Sequence, residues 1–336
     1  MNELDIENDL PEKIKPRWSI MRKSVLIPFG IAILYGIVMR LTFGSSAVLS
    51  TMTYGFLCFM PVALGAVTVY FGNRTFRLTW WQALVIAWLP GTFFLIGIAI
   101  MNFEFSLCLL MAAPIFYGAS SVGGLVMNAI LRLTEHSPRS KNSVPALLVA
   151  IMVVPYMVSG VENRTPPPDA YHIVDTQIII DADAQTVWDH IVRVRHIRPE
   201  EQSTRLTHLM GVPQPVEALL DFDGLGGVRY ASYDNGLTFV ERITEWKPLD
   251  VLSFNIKVDR REFVPAPFNA LGGQFEVLDG TYRIETLPDG RILLHLSSTQ
   301  RLSTQINGYG RLWTEYIMAD LQNYILEIIK VRCEAL

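Results

Sequence analysis

Two hydrophobic patterns divide the chain. Up to residue 160 apolar positions run together in long blocks; beyond residue 170 they recur at two-, three- and four-residue spacing. The blocks lie at roughly 25–43, 47–71, 80–101, 105–131 and 144–160. A helix that crosses a bilayer needs about 20 apolar residues, and the first four blocks meet that length. The fifth, VPALLVAIMVVPYMVSG, is at the short end and carries Pro145 and Pro155. It reads as a span, with an interfacial or re-entrant helix as the alternative. The pattern predicts an α-helical membrane domain of about five transmembrane helices over residues 24–160, after a tail at 1–23.

Charge between the blocks sets an orientation. The tail holds Lys13, Lys15, Arg17, Arg22 and Lys23. The second–third loop holds Arg74 and Arg77, and the fourth–fifth loop holds Arg132, Arg139 and Lys141. The opposite side holds only Arg40 and Arg164. Basic loops stay inside, so the N-terminus is expected in the cytoplasm. Five spans then put residues after 161 outside it, in the periplasm if this is a bacterial inner-membrane protein. If the fifth block does not span, the second half is cytoplasmic. A cleaved signal peptide fits poorly, because 23 residues precede the first block, Arg40 interrupts it, and no small-x-small site follows.

No ionisable residue sits mid-span, which argues against an ion-coupled carrier. Pro61, Pro90 and Pro114 read as tolerated kinks. Gly118-Ala119-Ser120-Ser121 and Gly123-Gly124 read as sites of close helix approach, and Trp80-Trp81 as an interfacial belt.

Residues 161–170, VENRTPPPDA, form a proline-rich linker, extended and semi-rigid. The remainder, 171–336, has the pattern of an α+β domain. His172–Ile180 reads as a strand. A helix from Asp183 to about Val194 buries Val187, Trp188, Ile191 and Val192, with Asp181 and Asp183 at its start as capping carboxylates. Strands follow near 217–222, 227–233, 237–245, 251–258, 274–286 and 291–302, separated by turn residues such as Asp234-Asn235-Gly236. A long helix near 308–332 carries a broad apolar stripe that includes Leu312, Trp313, Tyr316, Ile317, Tyr324 and Ile328. Glu200-Glu201 reads as a charge pair in a loop.

Composition sharpens this picture. Half the 336 residues are hydrophobic and 18% are charged, against roughly 25% charged in an ordinary soluble domain. Residues 1–165 hold 12 Lys/Arg and 8 Asp/Glu; residues 166–336 hold 16 and 24. The second half is thus an acidic globular domain. Disorder is excluded by the apolar content and a net charge of only −4. A disulfide scaffold is excluded by three cysteines, of which Cys58 and Cys108 lie in apolar runs. The acidic balance argues against nucleic acid as a partner.

The segment IIIDADAQTVWDHIV, a strand, a short turn and a helix carrying Val-Trp, resembles the opening of the START-like, or SRPBCC, superfamily. GGVRYASYDNGLTFVERITEWKPLDVLSFNI resembles its central meander, and the LPDGRILLHLSSTQ hairpin with the last helix completes the match. More narrowly, the chain is similar to the polyketide-cyclase/dehydrase and lipid-transport group fused to a membrane domain. The resemblance covers about 165 residues and implies a helix-grip fold: a curved antiparallel sheet around a long C-terminal helix, enclosing an apolar cavity. It implies no single activity, since members include lipid carriers, cyclases, hormone receptors and coenzyme Q-binding proteins.

Alternation suggests what faces the cavity. A three-residue loop at Asp234-Asn235-Gly236 puts Tyr233 opposite Leu237, Ala231 opposite Phe239 and Arg229 opposite Glu241. A two-residue loop would oppose Arg229 to Arg242, a repulsive pairing. Arg229 and Glu241 then form an ion pair on an apolar wall, either a head-group anchor or a structural salt bridge. Further inward candidates are Phe254, Tyr282, Leu296, Ser298 and Gln300 from the sheet, with Trp313, Ile317 and Tyr324 from the helix. The segment Asp259–Gly273 is long for a hairpin turn. Its Phe263, Val264, Phe268 and Leu271 are candidate lid residues, an ordinary packed loop being the alternative.

No catalytic residue is assigned. There is no nucleophile elbow, P-loop or dinucleotide fingerprint. His190 and His196 do not share a helical face for a metal, His190 lies on the polar side of its helix beside Asp189 and reads as solvated, and no metal or cofactor is expected. The function expected is binding or transfer of a hydrophobic small molecule, a lipid or isoprenoid, beside the lipid bilayer, with any protein partner left open. One alternative is a cyclase- or aromatase-type enzyme. Another is a membrane-assembly docking module whose cavity is filled by its own side chains.

Overall fold

The structure, a computed structural model, describes residues 27–45, 53–75, 77–100, 106–134, 144–258 and 274–335. The chain passes from one compact unit to a second between Pro166 and Pro167.

The first unit contains helices α1 (Ile27–Ser45), α2 (Met60–Thr75), α3 (Trp80–Ile100), α4 (Ser106–Thr134) and α5 (Val144–Glu162). A π-helical turn, Gly55–Phe59, runs directly into α2. Four segments are long and apolar enough to cross a membrane: Gly55–Asn73, Trp80–Ile100, Leu107–Thr134 and Val144–Glu162. In α1 the apolar run Ile33–Phe43 is shorter. The proline-bearing fifth block is one continuous helix of 19 residues. Pro145 falls in its first turn, where the missing N–H leaves no bond unmade.

Close approach explains the small-residue patches. A Cβ on Gly65 would collide with the carbonyl of Ser120, and one on Gly123 with the carbonyl of Val62. Helices α2 and α4 therefore meet backbone to backbone, and Ser120 Oγ donates to Pro61 O at 3.1 Å. Outward the unit is apolar: Trp81, Val85, Leu89, Phe93, Ile96 and Ile100 on α3 and Val149, Val153 and Met157 on α5 are all exposed. A soluble surface rarely carries so large a contiguous apolar area.

Polar contacts mark both ends of this bundle. At one end the Glu162 carboxylate accepts from the Tyr54 and Gly55 amides, each at 3.1 Å, and Thr53 and Ser159 share a 3.1 Å hydrogen bond. At the other, Arg132 Nη2 donates to Leu78 O at 2.7 Å and the guanidinium lies 5.1 Å from the centre of the Trp80 ring. There too Asn73 Oδ1 accepts from the Leu78 amide at 2.9 Å. The start of the α2 segment thus shares an end with the finish of α5. The finish of α2 lies with the start of α3 and the finish of α4.

The second unit contains β1 (Ala170–Ile180), α6 (Ala184–Val192), a 3₁₀ turn (Pro199–Glu201), α7 (Leu206–Leu209), β2 (Pro215–Leu220), β3 (Val228–Tyr233), β4 (Thr238–Lys247), β5 (Val251–Val258), β6 (Phe275–Val277), β7 (Asp279–Thr286), β8 (Ile292–Leu302) and α8 (Asn307–Glu334). The strands form one sheet in the order β1-β8-β7-β5-β4-β3-β2, with β6 paired to β8. Every pairing is antiparallel. Register shifts between Ile243 and Glu245 and between Pro215 and Glu217 are bulges that bend the sheet. Helix α8 lies along β1 and β8, and α6 packs on α8. A curled antiparallel sheet closed on a long C-terminal helix is a helix-grip arrangement.

Alternate residues supply the core. Along β8, Ile292, Leu294, Leu296, Ser298, Gln300 and Leu302 are all buried. Helix α6 starts where Asp183 accepts from the Thr186 amide and hydroxyl, each at 2.9 Å. Asp181 plays a different part: its amide donates to Glu334 on α8.

Four local expectations need correction. The single strand expected over 274–286 breaks at Leu278, whose amide turns to Thr299 O while its carbonyl accepts from Ile256. The stripe on α8 is narrower than its spacing implies, because Leu312 and Tyr316 are 65% and 45% exposed. His190 is not simply solvated: its Nδ1 lies 2.8 Å from the Thr186 carbonyl, one turn back on α6. Glu201 is not half of a surface charge pair. Its carboxylate is buried and takes two hydrogen bonds from Arg332, at 2.8 and 2.9 Å. Arg332 also donates to the carbonyls of Arg195 and His196, so one side chain clamps the end of α8 to the chain after α6. The expected lid residues Phe263, Val264, Phe268 and Leu271, and the tail at 1–23, lie outside the described residues.

Two outcomes follow. Gly123→Leu forces α2 and α4 apart and is expected to destabilise the purified chain by about 3 kcal/mol. Gly118→Leu, where a Cβ meets nothing within 4 Å, should leave the thermal midpoint in detergent unchanged. The second outcome concerns pH. Arg332 holds the Glu201 carboxyl down at about 2, against an ordinary 4.5, although burial opposes it. A group depressed in the folded state stabilises fully above its unfolded value and loses that contribution as pH falls towards the folded one. Glu201→Gln should remove roughly 3 kcal/mol at neutral pH and flatten the loss of stability between pH 4.5 and 2, read by thermal unfolding across that range.

Candidate functional site

The β3–β4 hairpin places the most polar group on the inward face. Gly236 adopts φ +83°, the left-handed conformation that suits glycine. The Tyr233 amide donates to Leu237 O at 2.9 Å, closing the three-residue loop. The register is then Ala231 opposite Phe239 and Arg229 opposite Glu241.

Arg229 is 2% exposed and Glu241 8%. Arg229 Nε donates to Glu241 Oε2 at 2.5 Å, and Nη1 donates to the Ile191 carbonyl in the last turn of α6 at 2.6 Å. The guanidinium lies 4.3 Å from the centre of the Phe254 ring and 5.7 Å from that of Tyr282. Phe254 can lie there because the cross-strand neighbour is Gly280: a Cβ on Gly280 would sit 2.6 Å from the Phe254 ring. Tyr233 and Phe239 stack edge to face at 5.4 Å, and Leu296 pairs with Tyr282 across β7 and β8.

The electrostatics follow from enclosure. Burial pushes the Glu241 carboxyl above the usual carboxylate range, with Arg229 opposing. Burial works against the Arg229 charge too, but Glu241 and Tyr282 outweigh it, and a guanidinium stays protonated in any case. Tyr282 is pushed up to about 12 by burial, and Tyr233 is raised by burial and by the nearby Glu241 and Tyr282. Both phenols are neutral near pH 7, so the site offers one internally closed charge pair, two neutral hydroxyls and aromatic faces.

The candidate residues do not all meet at one place. Arg229, Tyr233, Phe239, Glu241, Phe254, Tyr282 and Leu296 line a continuous part of the inward face. Ser298 instead accepts from Gln322 Nε2 at 2.9 Å. Gln322 also donates to Val174 O and accepts from Thr176. Gln300 is fully buried, and neither its Oε1 nor its Nε2 has a partner. Tyr324, fully buried, joins that inward face: it shares a cluster with Ala231, Ile197 and Ile328, against which Tyr233 and Phe239 pack, and lies edge-on to His208 at 4.8 Å; its hydroxyl has no partner. Trp313 stacks on Tyr309 at 6.5 Å, and both Trp313 and Ile317 are half-buried. Sequence reasoning missed Gln322, although a glutamine inside the apolar stripe of α8 signals it. It also missed His208, for which alternation offers no signal. Among the described residues no group of His, Cys, Asp or Glu has the arrangement of a metal site.

No protein-family model and no curated protein sequence matches the chain. Solved structures similar to it include a protein from Arthrobacter aurescens determined by NMR, at 15% identity, covering 49% of this chain and 87% of that one with a TM-score of 0.31. A truncated norcoclaurine synthase from Thalictrum flavum matches at 9% identity, with 48% and 92% covered and a TM-score of 0.31. The di-domain ARO/CYC BexL matches at 16% identity, with 64% and 62% covered and a TM-score of 0.32. The helix-grip description rests on the strand order and the seat of α8, not on these scores.

A double-mutant cycle tests the ion pair. Arg229→Met alone leaves Glu241 buried and uncompensated and should cost about 3–5 kcal/mol. Adding Glu241→Leu should recover most of that loss in thermal unfolding of the full chain, whereas additive losses would show that the two charges are not coupled.

Proposed function

We propose that this chain is an integral membrane protein of the bacterial inner-membrane type, in which a helix-grip domain binds or transfers a hydrophobic small molecule, a lipid or isoprenoid. The bundle is read as five spans with the N-terminus in the cytoplasm and residues after α5 on the far side, in the periplasm. The sharing of one bundle end by Tyr54 and Glu162 supports four alternating passes over α2–α5, and α1 is taken as the fifth. The excess of basic residues at the opposite end supports the direction.

The observation that carries the binding reading is the inward face around Arg229. It is aromatic and aliphatic apart from a charge pair that is already closed on itself. Such a wall suits an apolar body better than a charged reaction intermediate. A tether of a few residues would keep it beside the bilayer, where an apolar ligand is concentrated.

One observation favours the enzymatic alternative. Glu241, raised by burial and near two neutral phenols, has the environment of a general acid. Under that reading Glu241→Gln abolishes turnover of a cyclisable substrate; under the binding reading it only weakens association.

Mass spectrometry of the full chain, purified gently from its native host, is the direct test. A reproducible co-purifying lipid or isoprenoid is expected, and its absence together with failure to bind added lipid would sink the reading. A reporter fused after residue 336 tests orientation, and reporter activity in the cytoplasm rules out five spans.

A further inference from the structure

The helix-grip domain buries two glutamines, and they are treated differently. Gln322 on α8 is fully bonded, to Val174, Ser298 and Thr176. Gln300 on β8 is 0% exposed, yet neither its amide oxygen nor its amide nitrogen has a partner. A buried amide left unbonded costs free energy that a bonded one, or an apolar residue of the same size, does not.

Its place in the fold points to what completes it. Alternation along β8 turns Gln300 inward, between the buried Ser298 and Leu302. Its register partner on β1 is His172, whose Nε2 is already matched with Thr314 Oγ1 at 3.1 Å. That contact brings the α8 turn carrying Thr314 over this part of β1 and β8. The residues flanking Thr314 on that turn, Trp313 and Ile317, are half-buried apolar side chains. The polar side chains beside Gln300 are committed elsewhere, His172 to Thr314 and Ser298 to Gln322.

We propose that Gln300 is the head-group contact of the ligand site, and that the group it binds is an uncharged oxygen function, a hydroxyl or a carbonyl, on an otherwise apolar molecule. This rests on the lipid- or isoprenoid-binding reading and names the class within it. An amide offers one donor side and one acceptor side, which together match a hydroxyl. It cannot neutralise a phosphate or a carboxylate. The positive charge of Arg229 on the inward face is paired with Glu241, so the pair carries no net charge to offer an anion. An anionic head group would enter the apolar interior uncompensated, at heavy cost.

The test compares two probes with one apolar tail. Farnesol and farnesyl monophosphate are titrated against the full chain in nanodiscs, with tryptophan fluorescence as the readout. Farnesol should bind at least tenfold more tightly. Equal binding, or tighter binding of the monophosphate, overturns the head-group assignment while leaving lipid binding intact; binding of neither probe overturns the binding reading and the assignment with it. Gln300→Leu supplies the second arm. It should weaken farnesol about tenfold while the unliganded thermal midpoint stays level or rises, because an unbonded amide has been removed. An unchanged farnesol affinity in a folded Gln300→Leu chain overturns the role of Gln300 and assigns its amide to bound water.

Discussion

A guanidinium that can be neither solvated nor neutralised constrains the helix-grip domain more than any other group. Arg229 is enclosed and permanently charged, so everything around it must answer that charge. Glu241 answers from the neighbouring strand, the Ile191 carbonyl from the end of α6, and the Phe254 ring from two strands away. Each answer fixes a larger element. The carboxylate sets the β3–β4 register, the carbonyl sets where α6 stops, and the ring requires a glycine at 280. Buried ion pairs add little net stability compared with apolar packing; what this one contributes is the definition of a single arrangement among several that similar packing would permit.

The two halves of the chain solve opposite solvation problems. In the helical unit the outside is apolar; at the helix ends Glu162, Asn73 and Arg132 bond to backbone that the helices leave open, and within the bundle hydroxyls and an indole pair with one another or with carbonyls. In the helix-grip domain most ion pairs lie outside and the inside is largely apolar, with Arg229 paired to Glu241 and Gln322 fully bonded, while the Gln300 amide and the Tyr324 hydroxyl are buried without partners.

Much of the fold could be read from the chain. The long apolar helices were legible because an apolar run of 20 residues has few alternatives. The β3–β4 register was legible because the period of a strand is two, and a shift by one residue would have set Arg229 against Arg242. The inward orientation of Arg229 and the six residues around it follows from that register and the alternation of the neighbouring strands. What stayed hidden depends on contacts distant in sequence. Glu201 looked like a loop charge because its partner, Arg332, is 131 residues away. The break at Leu278 depends on an amide turning to Thr299, which no local propensity announces. The stripe on α8 looked uniform, but the turns carrying Leu312 and Tyr316 seat Gly310 and Thr314 on the sheet and turn those two side chains to the outside. Alternation also named Gln300 and Ser298 alike, and only their surroundings separate a bonded side chain from an unbonded one.

The Glu162 carboxylate also has a consequence for the order in which the chain is made. It caps the amides of Tyr54 and Gly55, which precede it by 108 and 107 residues. At a synthesis rate of about 5–20 residues per second, roughly 5–20 s pass between their emergence and its own. For that interval the leading turn of the most enclosed helix has no carboxylate to hold it, and the bundle cannot close. The last helix of the unit is thus the one that holds the start of the second, and the helix-grip domain follows it on the ribosome.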